Sequence, residues 1–215
     1  MDGSYEIRSL YFDDWMNSAY EQKLMGVYFR KKWRIRIYNY SDRKISLERK
    51  IKEGNYIFKE SASLSREEVE RILAGDYAFL LRREENLCRE FYVECVSHLE
   101  RPKVIVDYNR VPLILQEGTV RITFDSNIRA AVGGFDIFDA SLPVIAAQSP
   151  GFLVLEVKYT EFLPQLIKQL LPLDGQEFSA FSKYVACDEA AHQITDATAG
   201  VSKTAMGWRN RFERQ

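Results

Sequence analysis

Lys32-Trp33-Arg34-Ile35-Arg36-Ile37-Tyr38 and Ile45-Ser46-Leu47-Glu48-Arg49-Lys50-Ile51-Lys52-Glu53 decide the fold of this chain. Successive side chains of a β-strand point to opposite faces, so Arg34 and Arg36 share one face while Trp33, Ile35 and Ile37 share the other. In the second stretch Ile45, Leu47 and Ile51 lie opposite Ser46, Glu48, Lys50 and Lys52. A row of charge backed by an apolar row is either a surface sheet or the wall of a polar channel.

The same alternation recurs further along. Arg121 and Thr123 oppose Val120, Ile122 and Phe124 in TVRITFD, and Glu156 and Lys158 share a face with Val154 in FLVLEVKY. These rows are mostly cationic, with Glu48 and Glu156 as acidic exceptions. An antiparallel barrel whose outside packs under helices can turn polar residues inward to hold a ligand. Its ligand is then a polyanion, because Arg forks and Lys ammonium groups suit phosphate oxygens. A carboxylate among them makes sense as a ligand for a hard cation such as Mg²⁺ or Mn²⁺.

The bulk numbers bound the alternatives. The 215 residues carry 30 Lys+Arg against 31 Asp+Glu, a net charge of -1, so a generic nucleic-acid or membrane binder is not indicated and charge must be sorted locally. The sequence shows no apolar run long enough to span a bilayer and no signal-peptide pattern at MDGSYEIRS, which gives a cytoplasmic expectation. Cys88, Cys95 and Cys187 form no CxxC pair and read as reduced, packed thiols.

Strands are expected at 5–13, 27–40, 45–53 and 55–61, with a short helix or loop over 14–24 between the first two. A capping box at Ser65-Arg66-Glu67-Glu68 starts a helix that Gly75 ends, and a longer helix is expected over 78–99. Strands resume at 103–110, 112–117, 119–125 and 152–159. Helices follow near 163–171, with Pro164 in the first turn and Pro172 closing it, and near 177–191. Residues 1–192 form one α+β domain and 193–215 a polar tail.

Eight motifs, IRSLYFD, RKKWRIRIY, ISLERKIK, FKES, DYNR, VRITFD, LEVKY and FSKY, occur in the order found in the VTC (vacuolar transporter chaperone) polyphosphate polymerase domain. The chain resembles that domain, one of the triphosphate tunnel metalloenzymes (CYTH-like), over about residues 5–187. The resemblance implies an antiparallel β-barrel wrapped by helices and an activity that transfers the γ-phosphate of ATP to a growing polyphosphate chain. By motif it places Arg34, Arg36, Lys50, Lys59, Arg110, Arg121, Lys158 and Lys183 in the tunnel. ATP phosphates would meet Arg34, Arg36, Lys50 and Arg121, and Glu156, with Glu48 second, would be the ligand of Mn²⁺ or Mg²⁺. It also leaves room for a membrane partner and for a homo-oligomer. One departure is that relatives begin with a further tunnel strand, which the start at Met1-Asp2-Gly3 would omit: either the sequence is truncated, or the barrel is open on one side, or another segment or subunit fills the gap.

Two rival functions are kept: hydrolysis of tripolyphosphate or nucleoside triphosphate, and binding of polyphosphate without turnover. Lys52 divides evenly between tunnel and solvent, since Lys is mostly exposed. His98 and His192 lack ligand-like partners. Tyr5, Tyr11, Phe12, Trp33 and Tyr38 fit barrel packing better than a nucleic-acid platform. Glu84 and Glu85 read as an exposed helix face paired with Arg82, Arg83 and Arg89.

Overall fold

An eight-stranded antiparallel sheet dominates the computed structural model, which describes residues 3–115, 120–160, 162–171, 177 and 179–193. In chain order the elements are β1 (Tyr5–Asp13), α1 (Ser18–Leu24), β2 (Phe29–Tyr38), β3 (Ser41–Glu53) and β4 (Tyr56–Leu64). Then come α2 (Arg66–Leu73), a 3-10 turn (Ala78–Arg82), α3 (Asn86–Ser97), β5 (Arg101–Leu115) and β6 (Val120–Ala131). The chain continues with β7 (Val144–Ala146), β8 (Val154–Lys158), α4 (Gln165–Leu170) and α5 (183–193). Strand order is β4-β3-β2-β1-β5-β6, with β7 and β8 pairing successive stretches of β6.

The alternation read from the sequence sets the two faces. On the outside Leu10, Phe12, Trp33, Ile35, Ile37, Ile45 and Leu47 are buried beneath Val69 and Ile72 of α2 and Leu87, Cys88, Phe91 and Cys95 of α3. Ile167 of α4 packs against Val120 and Ile122 of β6 in the same way. Inside, an apolar cluster of Ile7, Tyr11, Val104, Val106 and Tyr108 is covered by Tyr184, Val185 and Cys187 of α5. The rest of the inner face is polar. The sheet curls until Ile57 of β4 and residues 154–156 of β8 line one cavity, yet among the described residues no strand joins those two edges. This is an α+β fold, a barrel-like sheet wrapped by helices and not closed by hydrogen bonds.

Where α2 begins, Ser65 accepts a hydrogen bond from the Glu68 amide at 3.2 Å while the Glu68 carboxylate accepts one from the Ser65 amide at 2.8 Å. Gly75 ends the helix at φ +81°, a conformation that costs glycine nothing. Ser65→Ala is expected to lower stability by about 1 kcal/mol. Denaturant unfolding checks this, and an unchanged midpoint would mean that α2 owes its start to packing alone.

Several expectations are corrected. The helix expected over 78–99 is broken: Arg83 is extended (ψ 145°), reaching Glu68 at 2.6 Å, Glu85 at 2.7 Å and the Ser63 carbonyl at 2.8 Å, and the chain turns helical again only at Asn86. Arg83 and Glu85 therefore tether α2 to α3 and do not form a helix face. The strands expected at 103–110 and 112–117 are one strand, β5, with Pro112 tolerated inside it. β6 runs six residues past Asp125, to Ala131, and β7 was not foreseen. The last helix starts at 183, not 177, and residues 172–176 and 178, 116–119 and the tail 194–215 lie outside the described residues. All three cysteines are free and buried. No described helix is long and apolar enough to cross a membrane.

Candidate functional site

Cross-strand register assembles the cavity. Residues directly opposed on antiparallel strands project to the same face, so the pairs Tyr11↔Arg34, Arg34↔Glu48, Ser9↔Arg36 and Lys50↔Lys59 build one half of the wall. Arg110↔Asp125 and Thr123↔Glu156 build the other, joined by Lys158, which pairs with Arg121 at the rim. A cavity of about 440 Å³ lies between them, and ten cationic side chains reach it: Lys23, Arg30, Lys32, Arg34, Arg36, Lys50, Lys52, Arg110, Lys158 and Lys183. Glu156 is the one carboxylate among its described lining residues.

Two buried carboxylates stand behind the cations and aim them. Glu48, 3% exposed, accepts from Arg34 at 2.7 Å and from Lys59 at 2.6 Å, with Arg36 at 3.9 Å. Burial would raise its pKa, but Arg34, Arg36 and Lys59 outweigh that and hold it at about 2. Asp125, fully buried, accepts two bonds from Arg110, at 2.6 and 2.7 Å, and pairs with Lys183 of α5 at 2.8 Å. Arg36 is fixed by the Ser9 hydroxyl at 3.0 Å and the Tyr108 hydroxyl at 3.2 Å. A guanidinium held this way keeps its remaining N–H groups directed at the cavity.

The two proposed metal ligands separate here. Both oxygens of Glu48 are occupied by cations, so in this structure it serves as a buried counter-ion to Arg34 and Lys59. Glu156 is 36% exposed, with Lys158 at 3.2 Å and Arg110 at 3.8 Å. Burial opposes its ionisation, but Lys158, Lys183 and Arg110 overcome this and hold it below the usual carboxylate range. Among the described residues no three His, Cys, Asp or Glu side chains converge as a metal cage. A single carboxylate still suits Mg²⁺ or Mn²⁺ when phosphate oxygens and water complete the shell. Glu156 fits that pattern.

Of the other expected residues, Arg34, Arg36, Lys50, Arg110, Lys158 and Lys183 line the cavity. Lys59 stands outside its lining, half-exposed, and touches it through Glu48. Arg121 shares the inner face with Lys158 but lies near the end of β6, exposed and off the cavity wall. Sequence reading missed Lys23, Arg30, Lys32, Tyr11 and Tyr108 as lining residues and gave Lys52 even odds. Extending the parity of Arg34 and Arg36 back to Lys32 and Arg30 would have found two of them. His98 pairs with Glu94 at 2.9 Å, and His192 with the Asp188 carbonyl at 2.8 Å, away from the cavity.

Among solved structures the chain is similar to a protein of Bacillus halodurans described as an adenylate cyclase candidate, with 12% identity and a TM-score of 0.39 over 58% of this chain and 59% of that one. A second is an adenylyl cyclase candidate from Hippeastrum described as having a dominant triphosphatase activity, with 13% identity and a TM-score of 0.40 over 59% and 60%. Each match spans less than two thirds of the other protein. Among curated proteins none matches. The model of the VTC domain matches residues 1–192, the stretch that carries every described strand and both halves of the cationic wall, and this chain belongs to the VTC domain family.

Proposed function

We propose that this chain is a polyphosphate polymerase, transferring the terminal phosphoryl group of ATP to the end of a polyphosphate chain. The observation that carries the reading is the lining itself, ten cations facing one carboxylate in a cavity of about 440 Å³. Among the described residues Lys32, Lys50 and Lys52 have no carboxylate within ion-pair distance, so a polyanion is what the site lacks in charge.

In the transfer a terminal oxygen of the acceptor chain forms a bond to the γ-phosphorus as the bond to the β-bridging oxygen breaks and ADP leaves. Such a transfer has a loose transition state with charge spread over equatorial oxygens, so positioning and charge stabilisation do most of the work. Arg34, Arg36 and Arg110 offer fixed forks, while Lys50, Lys158 and Lys183 supply point charges around them. No protein nucleophile is needed. Glu156 would hold Mg²⁺ or Mn²⁺, whose positive charge polarises phosphoryl oxygens.

Incubating the protein with ATP and Mn²⁺ and resolving the products on a polyacrylamide gel tests this reading. A ladder of chains is expected. Orthophosphate alone would replace the polymerase by a hydrolase, and unchanged ATP by a polyphosphate-binding module.

A further inference from the structure

Tyr11 has no task in the transfer described above, yet it stands at the base of the cationic wall. Its ring is buried and stacked on Tyr184, with centroids 5.1 Å apart, and its hydroxyl accepts a hydrogen bond from Arg34 at 2.9 Å. From β2 the charges of Lys32 and Arg36 act on it as well as Arg34. From β3 Lys50 acts on it, and the Glu48 carboxylate sits behind Arg34. Across on β5 is the Tyr108 hydroxyl, held by Arg36. Tyr184 comes from α5, its own hydroxyl donating to Asp13, and Lys23 of α1 stands further out beside Lys32. Of the carboxylates near this ring, Glu48 is shared among Arg34, Arg36 and Lys59, while Asp13 acts on Lys32 and Glu156 on Lys50.

A phenol in that position has two uses. Ionised, it is a counter-ion for the arginines; protonated, it is a donor to a phosphate oxygen. Resting on the reading of the cavity as a polyphosphate site, we propose that Tyr11 is a proton-linked ligand of the anion: in alkaline solution its phenolate balances Arg34 in the free protein. When the anion binds, the phenolate takes one proton from solvent and becomes a hydrogen-bond donor to it.

The electrostatics agree with the geometry. Burial by itself would raise the phenol, but Arg34 and Arg36, the Arg34 hydrogen bond and Lys32 outweigh it and bring the group down to about 8. Burial likewise lowers Lys32 to about 8, so Lys32 also changes charge in the same pH range. An anion of several charges in the same cavity favours the protonated form of both groups. Binding should therefore weaken as pH rises above about 8, by up to tenfold per unit for each proton taken up.

Because Lys32 contributes to that slope, the decisive readout is optical. Phenolate has a near-ultraviolet band that phenol lacks, and burial pushes Tyr20, Tyr40, Tyr77, Tyr108 and Tyr184 the other way, to later ionisation. Tripolyphosphate is titrated into the full chain at about pH 9, where a group of pKa about 8 is mostly ionised, with calorimetry run in parallel. Loss of most of one phenolate per chain on binding is expected, and Tyr11→Phe should bind tripolyphosphate without that loss. Binding with no spectral change, or the same change in Tyr11→Phe, would overturn the proposal. If Tyr11→Phe does not fold, a pH titration of the wild-type spectrum decides: a phenolate forming near pH 8 that tripolyphosphate moves upward supports it, and one that does not move overturns it. Absence of any binding heat in the wild type would sink the reading of the cavity itself, and the proposal with it.

Discussion

Replacing Glu156 with Gln is expected to cut ATP-dependent chain synthesis by about a hundredfold or more, while tripolyphosphate binds the metal-free protein at least as well as before. The two effects have opposite electrostatic origins. Glu156 neutralises part of the charge of Lys158 and Arg110, so its loss leaves the wall more positive and more attractive to an anion. It is also the carboxylate of the described lining that fits a hard cation, and a metal's charge is worth several kcal/mol in phosphoryl transfer, where about 2.7 kcal/mol is a hundredfold. Gel assays of elongation and calorimetry with tripolyphosphate read the two halves separately. Undiminished synthesis would remove the metal from Glu156. Weaker metal-free binding would mean that Gln had disturbed the wall itself.

The second large effect concerns stability and lies on the other side of the sheet. Arg8 and Asp107, opposed on β1 and β5, are 1% and 0% exposed and joined by two hydrogen bonds of 2.8 and 2.7 Å. Arg8 also donates to the Asp139 carbonyl and lies over the Tyr40 ring at 4.4 Å, tying the loop between β6 and β7 to the sheet. Arg8→Leu strands Asp107 in a dry site and is expected to cost about 3–5 kcal/mol, because an unpaired buried charge is far worse than no charge. Thermal unfolding should show a midpoint lower by on the order of 10 °C. The double variant Arg8→Leu/Asp107→Leu should recover much of the loss. A single variant within about 1 kcal/mol of wild type would show the pair to be dispensable.

How much of this was legible in the sequence follows from what periodicity measures. Alternation fixes which face a side chain shares, and burial of the outer face under α2 and α3 makes that face unambiguous; hence Arg34, Arg36, Lys50, Glu156 and Lys158 point inward as read. Alternation says nothing of height along a strand, so it does not tell that Arg121, exposed near the start of β6, stands apart from the cavity's lining residues. Nor does it give register. Glu48 faces Arg34 across the β2–β3 pair, and only that pairing reveals it as a buried counter-ion to the cations. Asp125 escaped notice for the same reason, since its partners come from β5 and from α5. Arg8 was invisible because its parity sets it among Leu10 and Phe12, where a lone strand pattern gives no reason to expect a buried ion pair. The break at Arg83 depends on Glu68, fifteen residues earlier, and no local helical pattern encodes it.

The Asp13 carboxylate ends β1, accepts from the amides of Ala19 and Tyr20 at the start of α1, and takes the hydroxyl of Tyr184 from a helix 171 residues further on. Tyr184 in turn carries Tyr11, and its neighbour Lys183 completes the grip on Asp125. The first strand and the last described helix thus share one lock, and the wall is unfinished until the last helix is in hand. For a chain emerging residue by residue from the ribosome, the cavity cannot be assembled before Tyr184 has appeared. A sheet already formed up to β8 would still lack six of the described lining residues, 179–184, and the cover over its inner apolar cluster, so the nascent chain has no complete anion trap to offer until α5 has emerged.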